Sequence, residues 1–284
     1  MKSPDWKRLG RERKAIPHNE RSNMKIGFIG IIGEELKADP MGTLKWVADL
    51  GFDGMEAAAA VAGYLNISVP RAKAVLSELG LAAGPQGRTT MDQSEEESRK
   101  VVQTAKEIGS QYVVDYYAPC NEKDELLRYC DYFNRMGLLS AEQGLTFLYH
   151  NHNQEFKKFG DQYGLEVILS NTDPDLVKIE LDVAWVTFGG GDPVDVLKKY
   201  GARCPVLHMK DFDHLPAEEP NADATRNAAL FAEVGAGVVN TAGVVAAARE
   251  AGVEWLVIEQ DRMNKLGPRD SLAASFKNLK ALVG

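Results

Sequence analysis

Four of the chain's five histidines stand at or just past the ends of two apolar runs. His150 and His152 close Thr146-Phe-Leu-Tyr-His-Asn-His152, and His208 lies inside Val206-Leu-His-Met-Lys210, with His214 shortly after it. Two further apolar runs end in carboxylates: Ile179-Glu-Leu-Asp182 and Leu256-Val-Ile-Glu259. Side chains alternate along a strand, so each of these groups can be aimed at one shared interior point. Imidazoles and carboxylates converging from separate strands are what a divalent metal ion needs, in this case Mn, Co, Zn or Mg. Such an ion polarises a carbonyl oxygen, and an imidazole beside it can move a proton near neutral pH. The candidate ligands are His150, His152, Asp182, His208 and Glu259. Glu259 and the two strand-end histidines are also the candidate proton carriers.

The elements that must position these groups follow from the pattern of the chain. Apolar runs over residues 26–32, 54–58, 81–86, 112–117, 146–152, 178–183, 206–210 and 255–260 predict eight strands. Amphipathic stretches at 43–50, 70–79, 95–108, 124–142, 193–200 and 241–251 predict helices between them, and 271–282 a closing helix. Gly51, Gly80, Gly109, Gly144, Gly201 and Gly252 each follow a helical stretch, where a left-handed cap is wanted. Asp39-Pro40 and Asp192-Pro193 place an N-cap before a first-turn proline. Eight strands alternating with helices predict an α/β fold, a (β/α)8 TIM barrel in one domain over residues 24–284. A doubly wound open sheet is the alternative, weakened because no Gly-x-Gly-x-x-Gly opens a helix after the first strand.

In a barrel the C-terminal strand ends face the active site. Placing His150, Asp182, His208 and Glu259 inward turns Tyr149, Leu181, Leu207, Met209, Leu256 and Ile258 outward, so polar and bulky apolar residues separate onto opposite faces. Lys210 points inward with His208. Glu56, at the end of the second strand, is a candidate substrate contact or a rim salt bridge. Residues 153–162 and 211–232 read as long loops after the histidine-bearing strands, fit to cover a substrate.

Composition bounds the partners. A formal net charge of −8 argues against nucleic acid, whose binding needs clustered Lys and Arg. Cys120, Cys130 and Cys204 are too few and scattered for a disulfide framework or a thiolate zinc site. No apolar run approaches the ~18 residues of a membrane span, and residues 1–23 form a polar extension, expected to be flexible, without the apolar core of a signal peptide. The expectation is a cytoplasmic protein acting on a small carbohydrate, with no membrane or nucleic-acid partner and a possible homo-oligomer.

The order and spacing of several motifs then carry a resemblance. Lys25-Ile-Gly-Phe, Gly51-Phe-Asp-Gly-Met-Glu56, Tyr149-His-Asn-His152 with Glu155-Phe156, Leu181-Asp182-Val-Ala-Trp185, Leu207-His208-Met-Lys-Asp211, Glu233-Val-Gly-Ala-Gly237 and Val257-Ile-Glu259 run through residues 24–284. The chain resembles the sugar phosphate isomerase/epimerase group of the xylose-isomerase-like TIM barrel superfamily, which also includes enzymes of the endonuclease IV type. The resemblance implies one divalent metal ion held by His150 or His152, Asp182, His208 and Glu259. It also implies two glutamates, on strands five and eight, exchanging a proton with a sugar carbon next to a carbonyl. Glu259 matches the second. The first is replaced by the His150-Asn-His152 run, and Trp185 stands where the epimerases often carry another histidine.

Two histidines can divide the tasks of holding metal and moving the proton, in a site with fewer carboxylates than the family's. The leading expectation is a metal-dependent sugar isomerase or epimerase working through an enediolate. The alternative is a lyase or dehydratase acting on an inosose or 3-keto-glycoside at the same site. A non-enzymatic sugar-binding barrel is the reading of another class. Trp185, Lys210 and His214 complete the expected substrate contacts.

Overall fold

The computed structural model describes residues 24–215 and 231–284; the N-terminal extension expected to be flexible lies outside them. Eight parallel strands follow one another: β1 Lys25–Phe28, β2 Gly54–Met55, β3 Ala82–Ala83, β4 Tyr112–Asp115, β5 Thr146–His150, β6 Val177–Asp182, β7 Val206–Met209 and β8 Trp255–Ile258. They form one sheet in the spatial order β3-β2-β1-β8-β7-β6-β5-β4. A parallel bridge between Gln86 and Val113 joins its two ends, with the Gln86 amide donating to Tyr112 O at 3.1 Å and the Val114 amide to Gln86 O at 3.0 Å. The sheet is therefore closed, which excludes the doubly wound alternative. All eight expected strands are present, mostly shorter at their C-terminal ends. There the chain leaves the sheet to build the site.

The helices obey local rules. Glu95–Ile108 begins with a Ser94–Glu97 capping box, in which the Ser94 and Glu97 amides are each satisfied by the other's side chain. Asp39 and Asp192 accept from the amides of Gly42 and Val194, as the two Asp-Pro pairs predict. Five of the six expected cap glycines have positive φ; Gly201 is the exception at −56°. It opens a 3-10 turn, Gly201–Arg203, where a β-carbon would meet that of Ala251 at 2.5 Å. Four helices, Gly33–Ala38, Ala60–Tyr64, Gly164–Asn171 and Val183–Phe188, are absent from the expected set.

Strand phase sorts the core into two layers. Tyr112, Val114, Leu148, Val206, Trp255 and Val257 pack together inside the barrel. Phe147, Tyr149, Ile179, Leu181, Leu207, Met209, Leu256 and Ile258 belong to the larger cluster between sheet and helices. Burying a Leu or Phe side chain contributes about 1.5–3 kcal/mol. A one-residue slip would exchange the two faces. The outer rows thus fix which polar groups face inward.

Asp115 follows the same rule and faces outward, under the helix Lys123–Glu142. Its Oδ1 accepts from the Tyr117 amide at 3.1 Å, whereas Oδ2 is buried without a hydrogen-bond partner. Burial pushes its carboxyl up to about 7, against the opposing hydrogen bond from the Tyr117 amide. The folded chain therefore holds a proton that the unfolded chain releases near pH 4, so stability falls as pH rises through this window. Between pH 5 and 8, thermal unfolding of the wild type should lose roughly 2 kcal/mol more than that of Asp115→Asn. Parallel pH profiles for the two proteins would refute this account.

Candidate metal centre

At the C-terminal ends of β5 to β8 the register brings His150 opposite Glu180 and Asp182 opposite His208. One donor atom from each of His150, Asp182, His208 and Glu259 lies within 4.8 Å of the others. Nε2 of His150 is 3.8 Å from Oδ2 of Asp182, and Nδ1 of His208 is 2.8 Å from Oε2 of Glu259. Asp182 is split between two tasks. Its Oδ1 caps the short helix Val183–Phe188 by accepting from the amides of Ala184 and Trp185. Its Oδ2 is buried, has no hydrogen-bond partner and faces the cluster. Two imidazole nitrogens and two carboxylate oxygens, one of them orphaned, fit a divalent ion.

Lys210 passes into the same space, as its phase requires. Its ammonium lies 2.9 Å from Glu259, 3.0 Å from Asp261 and 3.4 Å from Asp182, and 5.6 Å from the centre of the Trp185 ring. Burial opposes its charge, but the carboxylates outweigh burial and hold its pKa above the usual lysine value. Burial alone would raise the Glu259 carboxyl; Lys210 and His208 outweigh it and hold that carboxyl well below the usual range. Asp182 is pushed up to about 6 by burial, which Lys210 only partly offsets. His208 is raised by Glu180 and Glu56 despite burial, whereas burial drives His150 well below the ordinary histidine value.

Several expectations need correction. The expected set omits a carboxylate of the site: Glu180, fully buried on β6, presents Oε2 at 3.1 Å from Nδ1 of His150 and 3.2 Å from Nε2 of His208. Burial and the nearby Glu56 push its carboxyl up to about 8. Glu56 is neither at the rim nor exposed to a substrate. It is 1 % exposed, with Oε2 at 2.7 Å from Nε2 of His208 and Oε1 accepting from the Tyr116 hydroxyl at 2.9 Å. His214 is not brought to the cluster; its side chain is 60 % exposed and stands 3.6 Å from Asp213. Glu180 stands two residues before Asp182, so strand alternation alone marks it as inward-facing.

His152 lies past the end of β5, outside the four-donor cluster. Its ring centre is 5.0 Å from that of His150 and 5.9 Å from that of Trp185. The backbone that carries it is fastened by buried groups. Asn151 Oδ1 accepts from the Asp182 amide at 3.0 Å, while Glu155 accepts from the His152 amide at 2.9 Å and from the Tyr149 hydroxyl. Trp185 packs among Phe188, Phe212 and Phe231. The two phenylalanines at 212 and 231 face each other across the short antiparallel pair Asp211–Phe212 and Phe231–Ala232. The first expected loop contains a turn at Gln154–Phe156 and a small hairpin, Lys158–Phe159 with Gln162–Tyr163; residues 216–230 of the second lie outside the described residues.

After β7, Asp211 gathers four backbone amides. Those of Phe212, Gly235, Gly237 and Val239 all donate to its carboxylate at 2.9–3.0 Å. Gly237 is required there, because a β-carbon would lie 2.1 Å from Phe212 O. This knot ties the segment following Ala232 to the end of the strand that supplies His208 and Lys210.

A closed eight-stranded barrel with buried histidines and carboxylates at its C-terminal mouth defines a class of protein: a TIM barrel with a candidate metal-binding cluster at its mouth. A family model of the xylose isomerase-like TIM barrel matches residues 44–282, and the chain belongs to that family. The inosose dehydratase of Geobacillus thermodenitrificans (strain NG80-2) is 29 % identical over 138 residues, covering 46 % of each protein. The chain spans about half the length of the curated relatives it matches. A sugar phosphate isomerase/epimerase structure from Parabacteroides distasonis superposes with a TM-score of 0.73 at 24 % identity, covering 94 % of this chain and 98 % of that one. The IOLI protein with a bound zinc atom superposes with a TM-score of 0.69 at 16 % identity, covering 92 % and 98 %. Among the described residues, no helix is long and apolar enough to cross a membrane.

The buried Lys210 gives a direct test of the electrostatic balance. Lys210→Met leaves Glu259 and Asp182 without their internal cation, and breaking a buried ion pair costs about 3–5 kcal/mol. Denaturant unfolding of chelator-treated protein at pH 7 should show a loss of that order. A variant as stable as the wild type would mean that the ammonium does not hold the carboxylates together.

Proposed function

We propose that this chain is a divalent-metal-dependent lyase that dehydrates a small keto-sugar or inosose-like substrate by proton abstraction next to its carbonyl. The observation that carries the proposal is the division between two histidines. His150 belongs to the four-donor cluster, while His152 stands just outside it against Trp185. The inosose dehydratase relatives weight the outcome toward elimination, and the isomerase or epimerase expectation survives as the shared first step.

His150, Asp182, His208 and Glu259 would hold the ion, and their nitrogen content favours Zn, Co or Mn over Mg. The ion supplies Lewis-acid polarisation of the substrate carbonyl. His152 accepts the proton from the neighbouring carbon, and the released electron pair moves onto the carbonyl oxygen. Lys210 places a fixed positive charge where that negative charge develops. As the carbonyl re-forms, the carbon–oxygen bond to the β-hydroxyl breaks. The imidazolium of His152 returns its proton to the departing oxygen, so one water leaves and the enone product carries the new double bond. Trp185 offers an apolar face to the sugar C–H groups, and the aromatic group around it limits access of water.

Metal-reconstituted protein should convert inososes to an ultraviolet-absorbing enone with loss of water, and 3-keto-glycosides to an enone with release of the glycosidic alcohol. Deuterium uptake from heavy water without elimination would overturn dehydration in favour of isomerisation or epimerisation. The two histidine variants should separate: His152→Ala loses roughly 10²–10⁴-fold in kcat with metal affinity retained, whereas His150→Ala loses the metal. Full turnover by His152→Ala would remove it from the mechanism.

A further inference from the structure

We infer that Glu180 and Glu56 are positioning residues that fix which nitrogen each buried histidine turns toward the donor cluster, Nε2 from His150 and Nδ1 from His208. The inference rests on the metal reading above and assigns two carboxylates that the proposed chemistry leaves unused. A neutral imidazole offers a lone pair from one nitrogen only, and the nitrogen facing a carboxylate keeps the proton. Nδ1 of His150 lies 3.1 Å from Glu180 Oε2. The lone pair then falls on Nε2, the atom 3.8 Å from Asp182 Oδ2, a separation that two donors of one ion can span.

His208 is contested from both sides. Glu259 lies 2.8 Å from Nδ1, while Nε2 has Glu56 at 2.7 Å and Glu180 at 3.2 Å. Glu259 is also engaged by Lys210 at 2.9 Å, so the two carboxylates at Nε2 act against one shared carboxylate at Nδ1. Glu56 is held in turn by the Tyr116 hydroxyl. A single oxygen of Glu180 serves both imidazoles, whose ring centres are 4.5 Å apart. This places a buried carboxylate layer behind the histidines.

The test uses the full chain with ¹⁵N-labelled histidine and zinc. In the unmutated protein, nitrogen NMR should show two zinc-bound imidazoles, one attached through Nε2 and one through Nδ1, each protonated on its other nitrogen. Chelator competition should find zinc affinity lowered roughly 10–100-fold in both Glu180→Gln and Glu56→Gln, while Asp115→Asn, remote from the cluster, keeps the wild-type value. A merely structural role does not select one nitrogen on each ring. Attachment of His208 through Nε2, wild-type zinc affinity in both glutamine variants, or binding of two ions would each overturn the inference alone. If the unmutated protein binds no zinc, the inference and the metal reading fall together. Should either variant fail to fold, the spectrum of the unmutated protein decides.

Discussion

Five carboxylates, Glu56, Glu180, Asp182, Glu259 and Asp261, meet at one end of the barrel. Asp261 is exposed, but the other four are largely buried, where like charges at such separations repel by several kcal/mol per pair at the effective dielectric of a protein interior. His208 and Lys210 make the arrangement tenable because they come from one strand, two residues apart, and so run through the middle of the group. His208 touches Glu56, Glu180 and Glu259; Lys210 touches Asp182, Glu259 and Asp261. Every other feature of the site depends on this row of two hydrogen-bonding side chains on and just past β7.

That row is held in phase by residues that do no chemistry. Leu207 and Met209 lie fully buried on the opposite face of β7, and Leu256 and Ile258 do the same on β8. Reversing the strand to expose the histidine would also expose these side chains, at about 1.5–3 kcal/mol each. At the loop end, Asp211 ties the following segment down with four amide hydrogen bonds. The polar cluster is thus held in register by apolar packing below and backbone hydrogen bonding above. Its own ion pairs need not supply net stability, consistent with the high desolvation cost of buried charge.

Much of this was legible in the sequence because period-two alternation and helix caps are local signals. The eight strands, the ends of Glu95–Ile108 and Thr241–Ala251, and the inward phase of His150, Asp182, His208 and Lys210 all follow from them. What escaped is non-local. Glu180 shares the phase of Asp182, but its importance comes from the register that sets it opposite His150. Glu56 follows β2 directly and reaches His208 across β1 and β8, which lie between the two strands in the sheet. His214 carries the right chemistry but lies two residues past the β-pair that keeps the chain near the mouth, where its ring turns to solvent and Asp213. The helix Gly164–Asn171 is short and apolar on most sides, so its periodicity is weak.

These non-local contacts change the meaning of the histidine on strand five. Replacing a carboxylate donor by an imidazole would by itself remove one negative charge from a cation site and add a ring whose orientation is ambiguous. Here the neighbouring strand supplies Glu180 at hydrogen-bond distance from that ring, so its Nδ1 has a partner in place. On the metal reading proposed above, a carboxyl behind the ring rather than in the donor set would leave that donor neutral. A neutral donor withdraws less of the ion's charge from a substrate oxygen than a carboxylate would, so polarisation is kept strong without forfeiting electrostatic attraction at longer range. On the function proposed above, His152, two residues on and outside the cluster, is the group that moves the proton.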